Sequence, residues 1–214
     1  MKWYMIKNLI LSAVFVTACA MSVFADNAKI DDQEQLKSYV ENLIQESHEL
    51  LHNTSLSDKE MTQKASKLLR TNLYLNWMAK QSLGRNIKSI SKEQLKDFTK
   101  AYSAFVIDSY SKLVKSYKGE KGKLVRVNKI SNNLFMVDTE ILSTNDGTRT
   151  QVKYLVHELS NKDTTRFLIG DIITEGVSLL DSQRSEFNQI LSNKGIDGLI
   201  SEIKQKKIED AETK

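Results

Sequence analysis

The 214-residue chain contains no proline, one cysteine (Cys19), three histidines and eight glycines. Without proline, its turns fall to glycine, asparagine and aspartate, and no helix carries a proline kink. A lone cysteine cannot close an intramolecular disulfide. An excess of charge of one sign is also missing, since 31 basic residues stand against 27 acidic ones. The lysines alternate with acids along helical stretches, whereas nucleic-acid domains gather a basic face, so no nucleic-acid partner is expected. Beyond Phe24 no apolar run approaches the roughly 18 residues that a membrane span requires.

The apolar run that does exist reads as an export signal. Lys2 and Lys7 form a basic start, Leu9 to about Phe24 an apolar middle, and Val23-Phe24-Ala25 a signal-peptidase site that places the new terminus at Asp26. Cleavage there removes Cys19 and both lysines, lowering the formal charge from +4 to +2, and leaves one domain, 26–214. A chain of that length can enclose both a core and a cavity. Val16-Thr17-Ala18-Cys19 also resembles a lipobox, so lipidation at Cys19 stays open as the other processing route.

Helical spacing of Leu36, Val40, Leu43, Ile44, Leu50 and Leu51 predicts a first amphipathic helix from Asp32 to about His52. Ser57 with Glu60, and Ser91 with Gln94, form capping boxes, the second with Ile90 and Leu95 as a hydrophobic staple. They open a helix through Met61, Ala65, Leu68 and Leu69, which the run Tyr74–Leu83 continues to a cap at Gly84, and a long helix from Lys92 to Tyr117. After Gly119 and Gly122 the period becomes alternating. Four β-runs, Lys123–Ile130, Leu134–Ser143, Arg149–Leu159 and Thr165–Thr174, are joined by short turns and predict an antiparallel meander. Val125, Val127, Phe135, Val137, Ile141, Val152, Tyr154 and Val156 mark one inner face. A helix resumes near Asp181, ends at Gly195, and is followed by a short one from Ile196 to Lys204 and a frayed tail. The fold class is α+β: helices, a four-stranded antiparallel curved sheet, then closing helices. An apolar space between such layers is where a ligand would sit.

Two readings compete at several motifs. His48-Glu49-Leu50-Leu51-His52 matches H-E-x-x-H, which in a zinc hydrolase sets two nitrogens on one metal beside a general base. A third ligand is required. Ser55 and Asp58 stand where the extended motif has glycine and histidine, and His157 lies on a predicted strand, so two helix-surface histidines are the plainer reading. Glu175 and Arg184 are either an acid and an anion ligand or an ion pair locking the sheet to the next helix. Asp171, ending the last strand, is read as a carboxylate satisfied by backbone donors. No catalytic residue, metal site or cofactor is assigned.

The stretch from Asp171 to Phe187 carries Asp-x-x-x-Glu-Gly-Val-Ser-Leu and then Arg184-x-x-Phe187. It resembles the signature of the MlaC family of phospholipid-binding proteins, also called toluene-tolerance auxiliary proteins. Leu83-Gly84-Arg85, Gln94 to Tyr110 with Phe98 and Phe105, Tyr117-Lys118-Gly119-Glu120-Lys121, Val152-Lys153-Tyr154 and Gly195-Ile196-Asp197-Gly198-Leu199-Ile200 are similar to family segments in the same order. Asn86 and Ile87 replace a common aromatic, and Phe167 stands where tryptophan is usual.

The resemblance implies a monomeric periplasmic carrier that takes no cofactor and moves phospholipid between an outer-membrane lipoprotein–porin complex and an inner-membrane ABC transporter complex with an MCE-domain subunit, so preserving outer-membrane lipid asymmetry. The tails are expected between the long helix and the sheet, with the phosphate near the mouth. The expected acyl-chain lining is Phe98, Tyr102, Phe105, Val125, Val127, Val137, Val152, Tyr154, Ile173 and Val177.

Overall fold

A computed structural model describes residues 31–161 and 164–212. The export-signal, cleavage-site and lipobox readings lie outside the described residues. Helix α1 spans Asp32–Leu51, α2 Asp58–Asn72, α3 Leu75–Leu83 and α4 Lys92–Ser111; strands β1 Lys121–Ser131, β2 Leu134–Leu142, β3 Arg149–Ser160, β4 Thr165–Thr174 and β5 Val177–Ser178 follow, and α5 runs from Leu179 to Glu212. The sheet is antiparallel in the order β1-β2-β3-β4-β5. The expected four-stranded meander is present, with a two-residue fifth strand added. No helix among the described residues is long and apolar enough to cross a membrane.

Both capping boxes form: Ser57 and Ser91 accept from the backbone N–H of Glu60 and Gln94, whose side chains reach back to the cap N–H. Between α2 and α3 the helix does not continue, contrary to the spacing. Leu73 turns extended and bridges Ile169, and the Tyr74 N–H donates to the Ile169 carbonyl at 2.8 Å. This short piece of chain covers part of the exposed edge of β4, which would otherwise keep unpaired backbone groups. Helix α4 ends at Ser111 and tightens into a 3-10 segment, Lys112–Ser116, earlier than the expected Tyr117. Helix α5 begins at Leu179, breaks at Gly195 (φ 65°, ψ −172°), and continues past the expected tail to Glu212.

Helix α1 packs against β1, α2, α3 and α5 run against β4, and α4 is held among α2, α3 and α5. One continuous core joins these layers, with Phe98, Tyr102 and Phe187 among the helices and Phe135, Val137, Val152 and Val156 on the sheet. Strand β1 is an edge of the sheet and carries a bulge: Leu124 pairs with Thr139 and Arg126 with Asp138, leaving Val125 as the extra residue.

Candidate functional site

A small cavity of about 40 Å³ lies between α1 and the sheet, lined by Tyr39, Val40, Leu43 and Ile44 from the helix and by Val137, Thr139, Tyr154, Val156 and Ile169 from β2, β3 and β4. The helix residues recur at three- and four-residue spacing, so they share one face of α1. The strand residues share the other wall because the register sets Val137 opposite Tyr154, and Thr139 opposite Val152. The polar atoms of this lining are engaged by the protein. Thr139 donates its hydroxyl hydrogen to the Val152 carbonyl at 2.9 Å, and its side chain is bonded to the Tyr154 phenol. Tyr39 donates to Asn72 Oδ1 at 2.7 Å, while Asn72 Nδ2 donates to the Leu68 carbonyl at 2.8 Å. Burial pushes both phenols above their ordinary pKa. The walls therefore suit an apolar occupant, and the volume lies well below the range of about 300–1,000 Å³ seen for ligand pockets.

Of the residues expected to line such a space, Val137 and Tyr154 do so. Val127 and Val152 are buried on the same sheet face without reaching the cavity wall. Phe98, Tyr102 and Phe105 are buried on α4 and do not line it. The Phe98 and Tyr102 rings meet Phe187 edge-on, with centroids 6.0 and 6.3 Å apart, and Tyr102 donates to Gln183 at 2.6 Å. The helix facing the cavity is α1, where the long α4 was expected. Val125 is 57% exposed because the bulge breaks the alternation, and Leu124 takes the inward register position. Ile173 pairs with the exposed Lys153, placing it on the opposite face, and its neighbour Ile172 pairs with Tyr154. Val177 follows the tight turn at Glu175 (φ 50°) and Gly176 (φ 78°) and is 49% exposed. Sequence reading missed Tyr39, Thr139 and Ile169 as lining. Only the expected stripe on α1, containing Val40, Leu43 and Ile44, pointed toward them.

The signature stretch forms a clasp away from this cavity. Asp171 accepts from the Ile172 and Leu180 N–H groups at 2.9 and 3.1 Å and from the Ser178 hydroxyl at 2.6 Å. Ser178 Oγ in turn accepts from the Asp181 N–H at 3.0 Å, capping the start of α5. Burial raises the Asp171 pKa despite these three donors, which act in the other direction. Asp171 thus has the backbone-satisfied role expected of it. Glu175 and Arg184 do not form the expected pair. Glu175 accepts from the Gln151 N–H at 3.2 Å, whereas Arg184 donates to the Gln81 carbonyl at 3.0 Å and to Asp181 at 2.7 Å. Arg184 thereby covers the C-terminal end of α3, where a cation suits the helix dipole. Gly84 makes room for it: the residue sits at φ 55°, and a Cβ there would lie 3.0 Å from Arg184 Cδ.

The H-E-x-x-H residues take a different arrangement from a zinc hydrolase. The His48 and His52 rings stack with centroids 3.9 Å apart, and His52 meets the Tyr117 ring edge-on at 5.3 Å. Among the described residues no three His, Cys, Asp or Glu side chains gather to hold a metal. His157 is far along the sheet, wedged against Trp77 with centroids 4.4 Å apart. The zinc-hydrolase alternative has no support.

Comparison with known proteins agrees with the signature. The MlaC protein family matches residues 41–205. The intermembrane phospholipid transport system binding protein MlaC of Haemophilus influenzae is 24% identical over 213 residues, covering 95% of this chain and 92% of that protein. The crystal structure of a phospholipid-binding protein from Ralstonia solanacearum, in complex with a phospholipid, has the same fold with a TM-score of 0.68 at 15% identity, covering 85% of this chain and 99% of the other. With a family match over most of its length, on a fold whose signature residues clasp sheet to helix, the chain belongs to the MlaC family.

Proposed function

We propose that this protein is a phospholipid carrier and that its cargo's acyl chains occupy the space between α1 and the sheet. The apolar cavity carries the reading: its Val, Leu and Ile walls are joined only by polar groups already bonded within the protein. The relatives named for phospholipid binding and transport support it. Burying one acyl chain of roughly fifteen methylenes gains on the order of 12 kcal/mol, at about 0.8 per methylene. Two chains together exceed the practical ceiling of roughly 18–21 kcal/mol for noncovalent affinity. Such a carrier does not release lipid into water. It hands lipid to another apolar environment, where gain and loss nearly cancel. At about 40 Å³ the cavity is too small for even one acyl chain, so filling it requires α1 and the sheet to move apart.

The fuller reading places the exported domain, 26–214, in the periplasm after loss of 1–25. There it ferries phospholipid between an inner-membrane ABC transporter complex with its MCE-domain subunit and an outer-membrane lipoprotein–porin complex, maintaining lipid asymmetry. The test is native mass spectrometry of the exported protein purified without detergent, with the bound mass identified after extraction. Phospholipid at near one per chain is the expected result; a chain free of lipid in every preparation overturns the proposal.

A further inference from the structure

Behind the cavity lies a second space. An open groove of about 520 Å³ runs between α1, the end of α2 and the start of β4, and Tyr39 belongs to the walls of both. The Tyr39 ring therefore stands as the partition between an apolar, partly open cavity and a more exposed groove. Two contacts hold it in place. Its hydroxyl donates to Asn72 at 2.7 Å, and its ring rests against Phe167 with centroids 5.6 Å apart at 44°. Phe167 in turn meets Phe135 edge-on at 6.4 Å.

The chemistry of the groove differs from that of the cavity. Asn42 offers an amide and Arg166 a guanidinium, the Thr71 and Thr165 hydroxyls are engaged by the Lys67 carbonyl and Ser160, and no carboxylate stands in the lining. The neighbouring groove between α1 and α2 instead sets Glu46 and Glu49 against Lys64 and Lys67, and those opposed charges favour no anion. An anion with several acceptor oxygens matches the first groove, because guanidinium pairs with phosphate through a planar fork of donors.

We propose that Tyr39 is the gate through which an acyl chain passes between groove and cavity, and that the groove holds the phosphate of the same lipid against Arg166. The inference rests on the phospholipid-carrier reading and adds to it a route, a latch and an anion contact. Opening requires the Tyr39–Asn72 hydrogen bond to break and the ring to slide along Phe167. Phe167 keeps that movement apolar.

The experiment uses the exported full chain loaded with phospholipid and follows transfer to vesicles of phosphatidylethanolamine and phosphatidylglycerol. Tyr39→Phe keeps the ring and removes the latch, so transfer is expected to speed up roughly 2- to 10-fold, the factor for one neutral hydrogen bond. Asn72→Ala should do the same, and the double variant should be no faster than either single one, because both remove the shared Tyr39–Asn72 bond, while the Asn72–Leu68 bond also lost lies within α2. General loosening of the fold would instead add. Arg166→Gln should weaken retention of phospholipid while leaving retention of diacylglycerol, which has the tails without the phosphate, unchanged. Inorganic phosphate added to loaded protein should leave transfer unaffected; if it binds lipid-free protein at Arg166 and does not compete with lipid, the groove is a free-phosphate site and the proposal falls. It falls equally if Tyr39→Phe transfers at the unaltered rate, or if Arg166→Gln lowers retention of both lipids alike. A wild-type chain that carries no lipid at all overturns the carrier reading itself, a result distinct from these.

Discussion

Replacing Asp171 by alanine would leave the Ile172 and Leu180 N–H groups and the Ser178 hydroxyl without their acceptor in a buried clasp. Unpaired buried donors cost about 1–3 kcal/mol each, so Asp171→Ala is expected to destabilise the fold by about 3 kcal/mol or more in urea denaturation. Asp171→Asn keeps an oxygen for the two backbone donors and should cost less than half as much. His157 sets a pH dependence at the same scale. Burial against Trp77 lowers its pKa below 6.5, so just beneath that value the unfolded chain takes up a proton that the folded chain does not. Its contribution is fully present above pH 6.5 and is lost as pH falls through the lowered value. Urea midpoints on either side of pH 6.5 should show this fall, and His157→Gln should flatten it. Gly170 belongs to the same contact, since a Cβ there would come within 2.8 Å of the His157 ring and 2.9 Å of Trp77. The substitution Gly170→Ala is therefore expected to destabilise although the position carries no chemistry.

At the scale of elements, much of the fold was legible because the signals are local. The capping boxes at Ser57 and Ser91 announce helix starts through bonds within four residues, and alternation along β2 and β3 puts Val137 and Tyr154 on one face, where both line the cavity. Where two elements had to meet, the sequence was silent. Alternation alone cannot foresee the bulge that turns Val125 outward, and the helical period across Leu73 hides a break made to pair with Ile169 on a distant strand. Likewise, apolar stripes on α1 and α4 look alike until packing assigns α1 to the cavity and α4 to the helical core. This difference gives a paired expectation for lipid retention, read by mass spectrometry. Leu43→Asp sets a charge in the cavity wall from a half-buried position and should abolish bound phospholipid in a protein that still folds. Val177→Asp, which lies in the signature stretch yet faces solvent, should retain it.

For the whole molecule, the carrier proposal links cargo and stability. A ligand held by the folded chain alone stabilises it by mass action, about 2.7 kcal/mol when its free concentration is 100 times the Kd. Protein stripped of lipid by organic extraction and refolded should therefore unfold at lower urea than protein loaded at export, with vesicle treatment restoring the difference. The outline of the sheet bears on a separate hazard of a chain proposed to part its layers. Strand β1 is eleven residues long and ends the sheet, so one rim of its backbone has no neighbouring strand. Another copy could extend such a rim, and repetition would build a fibril. Lys123, Arg126 and Lys129 along it are already paired with Glu140, Asp138 and Asp32, and the bulge at Val125 spoils the regular spacing that a docking strand needs. A second β1 laid alongside would find no regular ladder to continue past Val125, so the bulge itself guards this edge against pairing of copies if the layers part as proposed.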